Sequence, residues 1–501
     1  AALVTSGTKV EVSDATVTIS DADTTALDAS DLSDIGGATT GTVTVTNAVV
    51  ISGTTAQNTA ALVTSGSKVE VSDAAVTISD ADSTALSATA LSDIGSATTG
   101  TVTVTNAVAI TGTAAQATAA LVTSGSKVVV SDATVTISDA DSTALDATAL
   151  SAIGSATTGT VTVTNAVVIS GTTAQNTAAL VTAGTKVEVS DAAVTISDAD
   201  TTALDATDLS AIGSATTGTV TVTNAVVISG TAAENTAALV TSGSLVVVSD
   251  AAVTISDADS TAVDATTLSA IGAKTTGTVT ATNALAISGT GSEVTAALVT
   301  AGSLVVANDA ATTATVSDAV SASVGNAIAQ VNNVAAAFSG GITDTRSNLA
   351  SSGSIETELT NIVADDADVA ITISDGDSTA MNATDLSAIG SATTGTVTVT
   401  NAVAISGTAA QNTAALVTAG TKVEVSDATV TISDADSTAL TATALSDIGG
   451  ATTGTVTVTN AVAISGTAAQ NTAALVTSGS KVEVTDATVT ISDADSTAVD
   501  A

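Results

Sequence analysis

Cysteine, proline, histidine, tryptophan and tyrosine are absent from the 501 residues, and phenylalanine and methionine occur once each, as Phe338 and Met381. Without cysteine there are no disulfides and no thiolate metal sites. Without histidine the commonest zinc ligand and the usual general base are missing. Without aromatic bulk a thick globular core is out of reach. Positive charge is scarce as well: eight Lys and Arg face 49 Asp and Glu, a formal net charge of -41. Such a chain repels phosphates and anionic lipid, which argues against nucleic-acid partners. The same charge attracts divalent cations. No run of 18 apolar residues is present, so no membrane insertion is expected. Neither a signal peptide nor a starting Met stands at Ala1, and both ends fall inside a repeat. The sequence therefore reads as a fragment of a longer protein whose targeting signals lie elsewhere.

What is abundant is small or β-branched. Thr, Ala, Ser, Val, Asp and Gly dominate, and the hydrophobic share is 45%. Disordered chains are poor in β-branched apolar residues, so an ordered, thin, tightly stacked core is expected.

The order of these residues is periodic. AALVT recurs at Ala1, Ala60, Ala119, Ala178, Ala237, Ala296, Ala414 and Ala473. The period is 59, with one double interval between Ala296 and Ala414. Each unit holds two related halves, one built on KVEVSDATVTISD (Lys9 to Asp21) and one on TVTVTNAVVISG (Thr42 to Gly53). Val10, Val12, Val17 and Ile19 alternate with polar residues, as do Val43, Val45, Val49 and Ile51. That is the period of half-buried strands. Asp14 and Asn47, with Asp73, Asn106, Asp132, Asn165, Asp191 and Asn224, stand at the corners as Asx-turn candidates. A short helical segment follows each strand pair. Leu27, Leu32 and Ile35 are the contacts of one, and Ala61, Leu62 and Val63 those of the other. Gly36 and Gly66 are placed to end them. The expected fold is a β-rich parallel β-solenoid with a short helix in every coil, about 30 residues per coil and two coils per repeat. Stacking about 17 coils at ~4.8 Å, with one continuous parallel ladder, gives a rod about 80 Å long.

Residues 1–306 and 366–501 carry the tandem repeats, and 307–365 form a degenerate repeat. Within it Val320, Val324, Ile328, Val331, Val334 and Phe338 recur every three or four residues, which predicts one amphipathic helix ending at Gly340 and Gly341. A second helix is expected from Glu356 to Val363, capped by Ser354. Arg346 is the only arginine.

The strongest chemical motif is SDAD. It places Asp21/Asp23, Asp80/Asp82, Asp139/Asp141, Asp198/Asp200, Asp257/Asp259, Asp434/Asp436 and Asp493/Asp495 two residues apart, with SDGD doing the same for Asp375/Asp377. Two carboxylates in one turn suit a hard cation such as Ca2+, which takes six to eight oxygens. Asp28, Asp31 and Asp34 are further donors in some units, although Asp28 is replaced by Ser87, Asn382 and Thr441 elsewhere. The competing reading is a helix N-terminal cap and solvated charge. Neither the glycine-rich nonapeptide of calcium β-rolls nor the EF-hand loop is present. Thr42, Thr44 and Thr46 suggest an outward Thr ladder of the ice-binding kind, interrupted by Lys9, Glu11 and Ser13 in the alternate coil; Thr is also simply a good outward strand residue.

No catalytic constellation is found. Ser and Thr have no base to activate them. Lys9, Lys68, Lys127, Lys186, Lys422 and Lys481 share one repeat position that Leu245 and Leu304 also fill. A position that tolerates Leu does not carry chemistry, and no enzyme is expected.

The run VEVSDATVTISDADSTALTATALSDIG, followed by TVTVTNAVAISGTAAQNTAALV, resembles the tandem repeats of giant acidic exported cell-surface proteins of marine cyanobacteria and proteobacteria. These accompany type I secretion and calcium-binding repeats. The resemblance implies an extracellular or cell-surface location and a role in adhesion, surface coating or motility. It transfers no site residues. A non-catalytic structural rod or stalk is thus the favoured expectation, without a required cofactor. The alternative is a module that loads calcium or another ligand. Lateral self-association and a cell-surface partner are the associations to consider.

Overall fold

The computed structural model describes residues 3, 4, 10 and 12–494, apart from Lys68, Lys127 and Lys481. Asp495, Lys9 and Glu11 lie outside the described residues. Two compact units are present, residues 1–253 with 274–277, and residues 254–273 with 278–501.

In the first unit, two kinds of coil alternate. A long coil carries three strands and a helix, for example Val128–Val129, Thr134–Ile137, Ala144–Asp146 and Ala147–Gly154. The short coil after it carries two strands and a helix, Val161–Val163, Val168–Gly171 and Thr173–Leu180. Nearly all strands pair in parallel, as expected of a β-solenoid. Alternation explains the strands: Val161 and Val163 are buried while Thr162 between them is only partly covered. The short-coil helices start at a capping box. Thr172 accepts from the Gln175 N–H, and the Gln175 side chain accepts from the Thr172 N–H. The T-x-x-Q spelling specifies this exchange. Inside the coils Val, Ile, Leu and Ala are almost fully shielded, each large side chain contributing about 1.5–3 kcal/mol.

The continuous ladder expected from sequence is not what forms. Ala144–Asp146 pairs with Val168–Gly171, which pairs with Ala193–Ile196, then Val220–Val222, then Val246–Val247, where the sheet ends. Leu145 faces Ile169, Ile169 faces Val194, and Val194 faces Val220. These steps of 24 to 26 residues are shorter than the mean coil. Each ladder therefore slides toward the start of the coil and runs out after at most five strands among the described residues. A new one begins at the third strand of each long coil, Ala85–Ser87 for instance.

Two turn assignments change. Gly36 and Gly95 do not end helices. They are buried inside helices Ala29–Gly37 and Ala88–Ser96, where a Cβ would stand 2.0 Å from the carbonyl oxygen of Ser67 or Ser126 in the next coil. Gly is needed there for close backbone approach. Gly66 lies beyond the helix, which closes at Leu62 with Val63 as its C-cap.

The second unit repeats the same two coils, as in Thr429–Ile432, Ala439–Thr441 and Ala442–Gly449, followed by Val456–Val458, Ala463–Gly466 and Ala468–Leu475. It also holds the whole of 307–365. The single long helix expected there is divided. A helix spans Ala322–Ala329, Asn333 turns the chain at φ 62, and Val334–Phe338 is a strand paired with Thr312–Val316. Val334, Ala336 and Phe338 are buried and alternate with exposed Ala335 and Ala337. Alanine, neutral in hydropathy pattern, hid this period of two behind a spacing that also suits a helix. The second helix runs Thr357–Asp365 with Glu356 at its N-cap. Ser354 instead joins an antiparallel hairpin, Ala350–Ser351 with Ser354–Ile355.

Candidate functional site: the repeated aspartate pair

The SDAD turn sits in each long coil between its second and third strands. The residue after the second Asp is left-handed in every described copy, at Thr24, Ser83, Ser142, Thr201, Ser260, Ser378 and Ser437, with φ between 61 and 64. That conformation is costly for an L side chain. It is fixed by hydrogen bonds on both sides: the Ser83 N–H donates to the Ala107 carbonyl at 2.8 Å, and the Thr84 N–H to the Ala81 carbonyl at 3.1 Å.

The turn sends its two carboxylates to different coils. The first reaches back. Asp80 accepts from the Thr55 N–H at 2.6 Å and the Thr55 hydroxyl at 2.7 Å. Asp139 accepts from the Ala114 N–H, Asp198 from the N–H and hydroxyl of Thr173, Asp434 from the Ala409 N–H and Asp493 from the Ala468 N–H, each N–H contact at 2.6 Å. The donor is always the first residue of a helix. Asp375 serves the Arg346 N–H in the same way. Asp80, Asp139, Asp198, Asp257, Asp375 and Asp434 are buried, and Asp21 is exposed. A carboxylate at a helix N-terminus meets both an unpaired N–H and the positive end of the helix dipole.

The second Asp reaches forward and stays exposed. Asp23, Asp82, Asp141, Asp200, Asp259, Asp377 and Asp436 accept from the N–H of Ala48, Ala107, Ala166, Ala225, Ala284, Ala402 and Ala461, at 3.0 to 3.2 Å. One turn thus ties three consecutive coils. Asp28 does neither; it caps its own following helix by accepting from Ser30. The Ser30 hydroxyl and N–H hold its carboxyl below the ordinary range, and Thr207 does the same for Asp205. Asp31 and Asp34 are exposed. Among the described residues no group of three or more Asp, Glu, His or Cys is gathered that could hold a metal ion.

The corner residues also work between coils. Asn106, Asn165, Asn224 and Asn460 donate through Nδ2 to the backbone carbonyls of Asp80, Asp139, Asp198 and Asp434, each at 2.6 Å. These bonds replace the Asx-turns expected from sequence. Asp73, Asp132 and Asp191 accept from the preceding serine hydroxyl.

Five features escaped the sequence reading. In ATTG, buried Thr98 donates to the Ala74 carbonyl and accepts from the Gly100 N–H, and Thr157, Thr216 and Thr452 repeat this. The return of TTG in every regular repeat, ATTG in all but the KTTG of 274–277, was the available signal. Asn58 is fully buried, donating to the carbonyls of Gly53 and Thr54. Outside the motif, Asp318 and Asp344 supply the same clip to Gly291 and Ala322. In the same stretch Arg346 forms an ion pair with buried Asp385 at 3.1 Å, and the other oxygen of Asp385 accepts from the Gly353 N–H at 2.6 Å. Asp365 and Asp366 accept from the Ala336 and Phe338 N–H groups, covering the edge of strand Val334–Phe338. Burial, aided by Asp368, raises the Asp366 carboxyl above its ordinary value.

No protein-family model matches the chain, and no curated protein matches it. Among the described residues, no helix is long and apolar enough to cross a membrane.

Proposed function

We propose that this chain is a non-catalytic spacer, a stalk segment of a larger extracellular or cell-surface protein. The observation that carries this reading is where the acidic motif spends its oxygens. In nearly every repeat the first carboxylate closes a helix of the coil before, and the second holds the coil after. A motif whose oxygens are taken up by backbone amides of the neighbouring coils in the same way along an array serves stacking, which supports an architectural role. The remaining exposed carboxylates keep such arrays apart by repulsion. The dearth of residues able to activate a nucleophile supports the non-catalytic reading.

Calorimetric titration with calcium chloride tests it. A spacer gives no saturable heat, and its thermal unfolding moves no more than with sodium chloride of equal ionic strength. A saturable isotherm near one cation per 59-residue repeat would overturn the proposal in favour of a cation-loading module.

A further inference from the structure

The two kinds of junction between coils are unequal. Where a long coil meets the short coil after it, residues 69–101 against 102–127, two ladders cross the junction. Ala75–Ile78 pairs with Val102–Val104, and Ala85–Ser87 with Ala109–Gly112. The helices Ala88–Ser96 and Ala114–Leu121 lie closely side by side. Gly95 brings the first helix's backbone against Ser126. Side chains add bonds from Thr105, Asn106 and Thr111 to the carbonyls of Ile78, Asp80 and Leu86, and from the Ala107 N–H to Asp82.

Where that short coil meets the next long coil, 102–127 against 128–160, the contact is thinner. The ladders are as long in total as those within a pair, and the difference lies in the helices: one ladder is two residues long, Val128–Val129 on Val102–Thr103. The other is Thr134–Ile137 on Ala109–Gly112. The helix Ala147–Gly154 meets Ala114–Leu121 over a smaller area. Beyond the ladders the Ala114 N–H donates to Asp139 and the Thr134 hydroxyl to the Val108 carbonyl, and another copy of this junction adds bonds from the Thr55 hydroxyl to Asp80 and from Asn58 to the Thr77 carbonyl. The second unit shows the same inequality. Thr459, Asn460, Ser465 and the Ala461 N–H bind the preceding long coil, whereas Asp434, Asn412 and Thr429 carry the other junction.

We infer that the mechanical unit of this protein is the long coil with the short coil that follows it, 59 residues such as 69–127, and that under tension the chain yields length one such pair at a time. The weak junction is where one pair parts from the next. Within a pair, the stronger junction makes both coils open together, since a half-pair left behind would expose its apolar face. This deepens the spacer reading by making the segment an extensible one.

Single-molecule force spectroscopy on the whole chain, held by its two ends, reads the unit directly. The expected record is a series of equal steps of 59 residues, each releasing about 200 Å of extended chain. Alternating steps of the two coil lengths, or release of the whole array at once, would overturn the inference while leaving the spacer reading to the calcium titration. Hydrogen exchange gives a second measure. The Thr105 and Ala109 amides, inside a pair, should exchange at least tenfold more slowly than those of Thr134 and Ser138 at the junction between pairs; equal rates would refute the assignment.

Discussion

Replacing Asp139 by alanine removes one side of the clip and nothing else of substance. Its carboxylate is 9% exposed and sits 2.6 Å from the Ala114 N–H, the first amide of helix Ala114–Leu121. A hydrogen bond to a charged acceptor contributes about 1.5–3 kcal/mol, and a negative charge at a helix N-terminus about 0.3–1 kcal/mol. The amide left behind is buried beside the next coil, so water replaces the lost acceptor poorly. A local cost of about 2–3 kcal/mol follows. Asp139→Asn keeps an acceptor oxygen but loses the charge, and should cost about half as much. Asp141→Ala, two residues on, gives up a longer bond at an exposed site and should cost about 0.5 kcal/mol. Because an array opens locally before it unfolds globally, the assay is hydrogen exchange followed by mass spectrometry on the peptide covering residues 114–121. At 1.4 kcal/mol per tenfold, Asp139→Ala should speed exchange there roughly 30- to 150-fold, whereas Asp141→Ala, whose bond holds Ala166 in the coil after, should change it by no more than about twofold. Equal, small effects from the two alanine variants would refute the claim that the first aspartate holds the coil before it.

Other substitutions probe the remaining contacts. Gly95→Ala would be favourable by helix propensity alone, yet its Cβ meets a backbone carbonyl at 2.0 Å; circular-dichroism denaturation should show a loss of about 2–3 kcal/mol, while Gly125→Ala, with open space around it, stays within about 0.5 kcal/mol. Arg346→Met leaves buried Asp385 without its cation and should cost about 3 kcal/mol locally. Adding Asp385→Ala, the residue at this position in other repeats (Ala149, Ala444), should restore most of it, with a double-mutant cycle in exchange rates as the measure. Asp366 has a raised folded pKa, so the folded state holds its proton longer than the unfolded state. Its ionisation therefore costs stability as pH rises from 3.8 through the folded value. Asp366→Asn should stabilise the strand Val334–Phe338 at pH 7 and leave it unchanged well below pH 3.8, read from the Phe338 amide exchange rate against pH.

The parallel solenoid, the two coils per repeat and the helix in each coil were legible because they rest on local pattern: Val alternation, the short helical segment after each strand pair and the fixed 59-residue period. What sequence hid was contact between coils. SDAD reads as a pair because its aspartates are two apart, yet a left-handed Ser83 points them to opposite neighbours, and nothing in the string announces that dihedral. Asn106 looks like a turn residue since asparagine commonly is one; its actual acceptor lies 26 residues away. Gly95 resembles a helix stop because close backbone approach and helix termination select the same residue. In 307–365 the alanines of VAAAF left two periods equally acceptable, and only the pairing with Thr312–Val316 decides between them.

The unequal coils have a physical consequence that equal ones would lack. Were every coil of the short kind, each strand would face its equivalent and the ladder would run on unchanged, with each helix amide terminus left to water. The additional turn and strand of the long coil start a fresh ladder every 59 residues and carry the carboxylates that close the helix before. Long-coil helices depend on nothing comparable: Asp28, Asp146 and Asp205 cap them from within, and Ser87 and Asn382 stand at that position without a side-chain bond. The cross-coil carboxylate is a different matter. Where the repeat pattern is lost, between 307 and 365, Asp318 and Asp344 still meet the first amides of helices Gly291–Leu298 and Ala322–Ala329. The clip outlasts the motif that spells it elsewhere, which is what its role in stacking requires and a cation site would not.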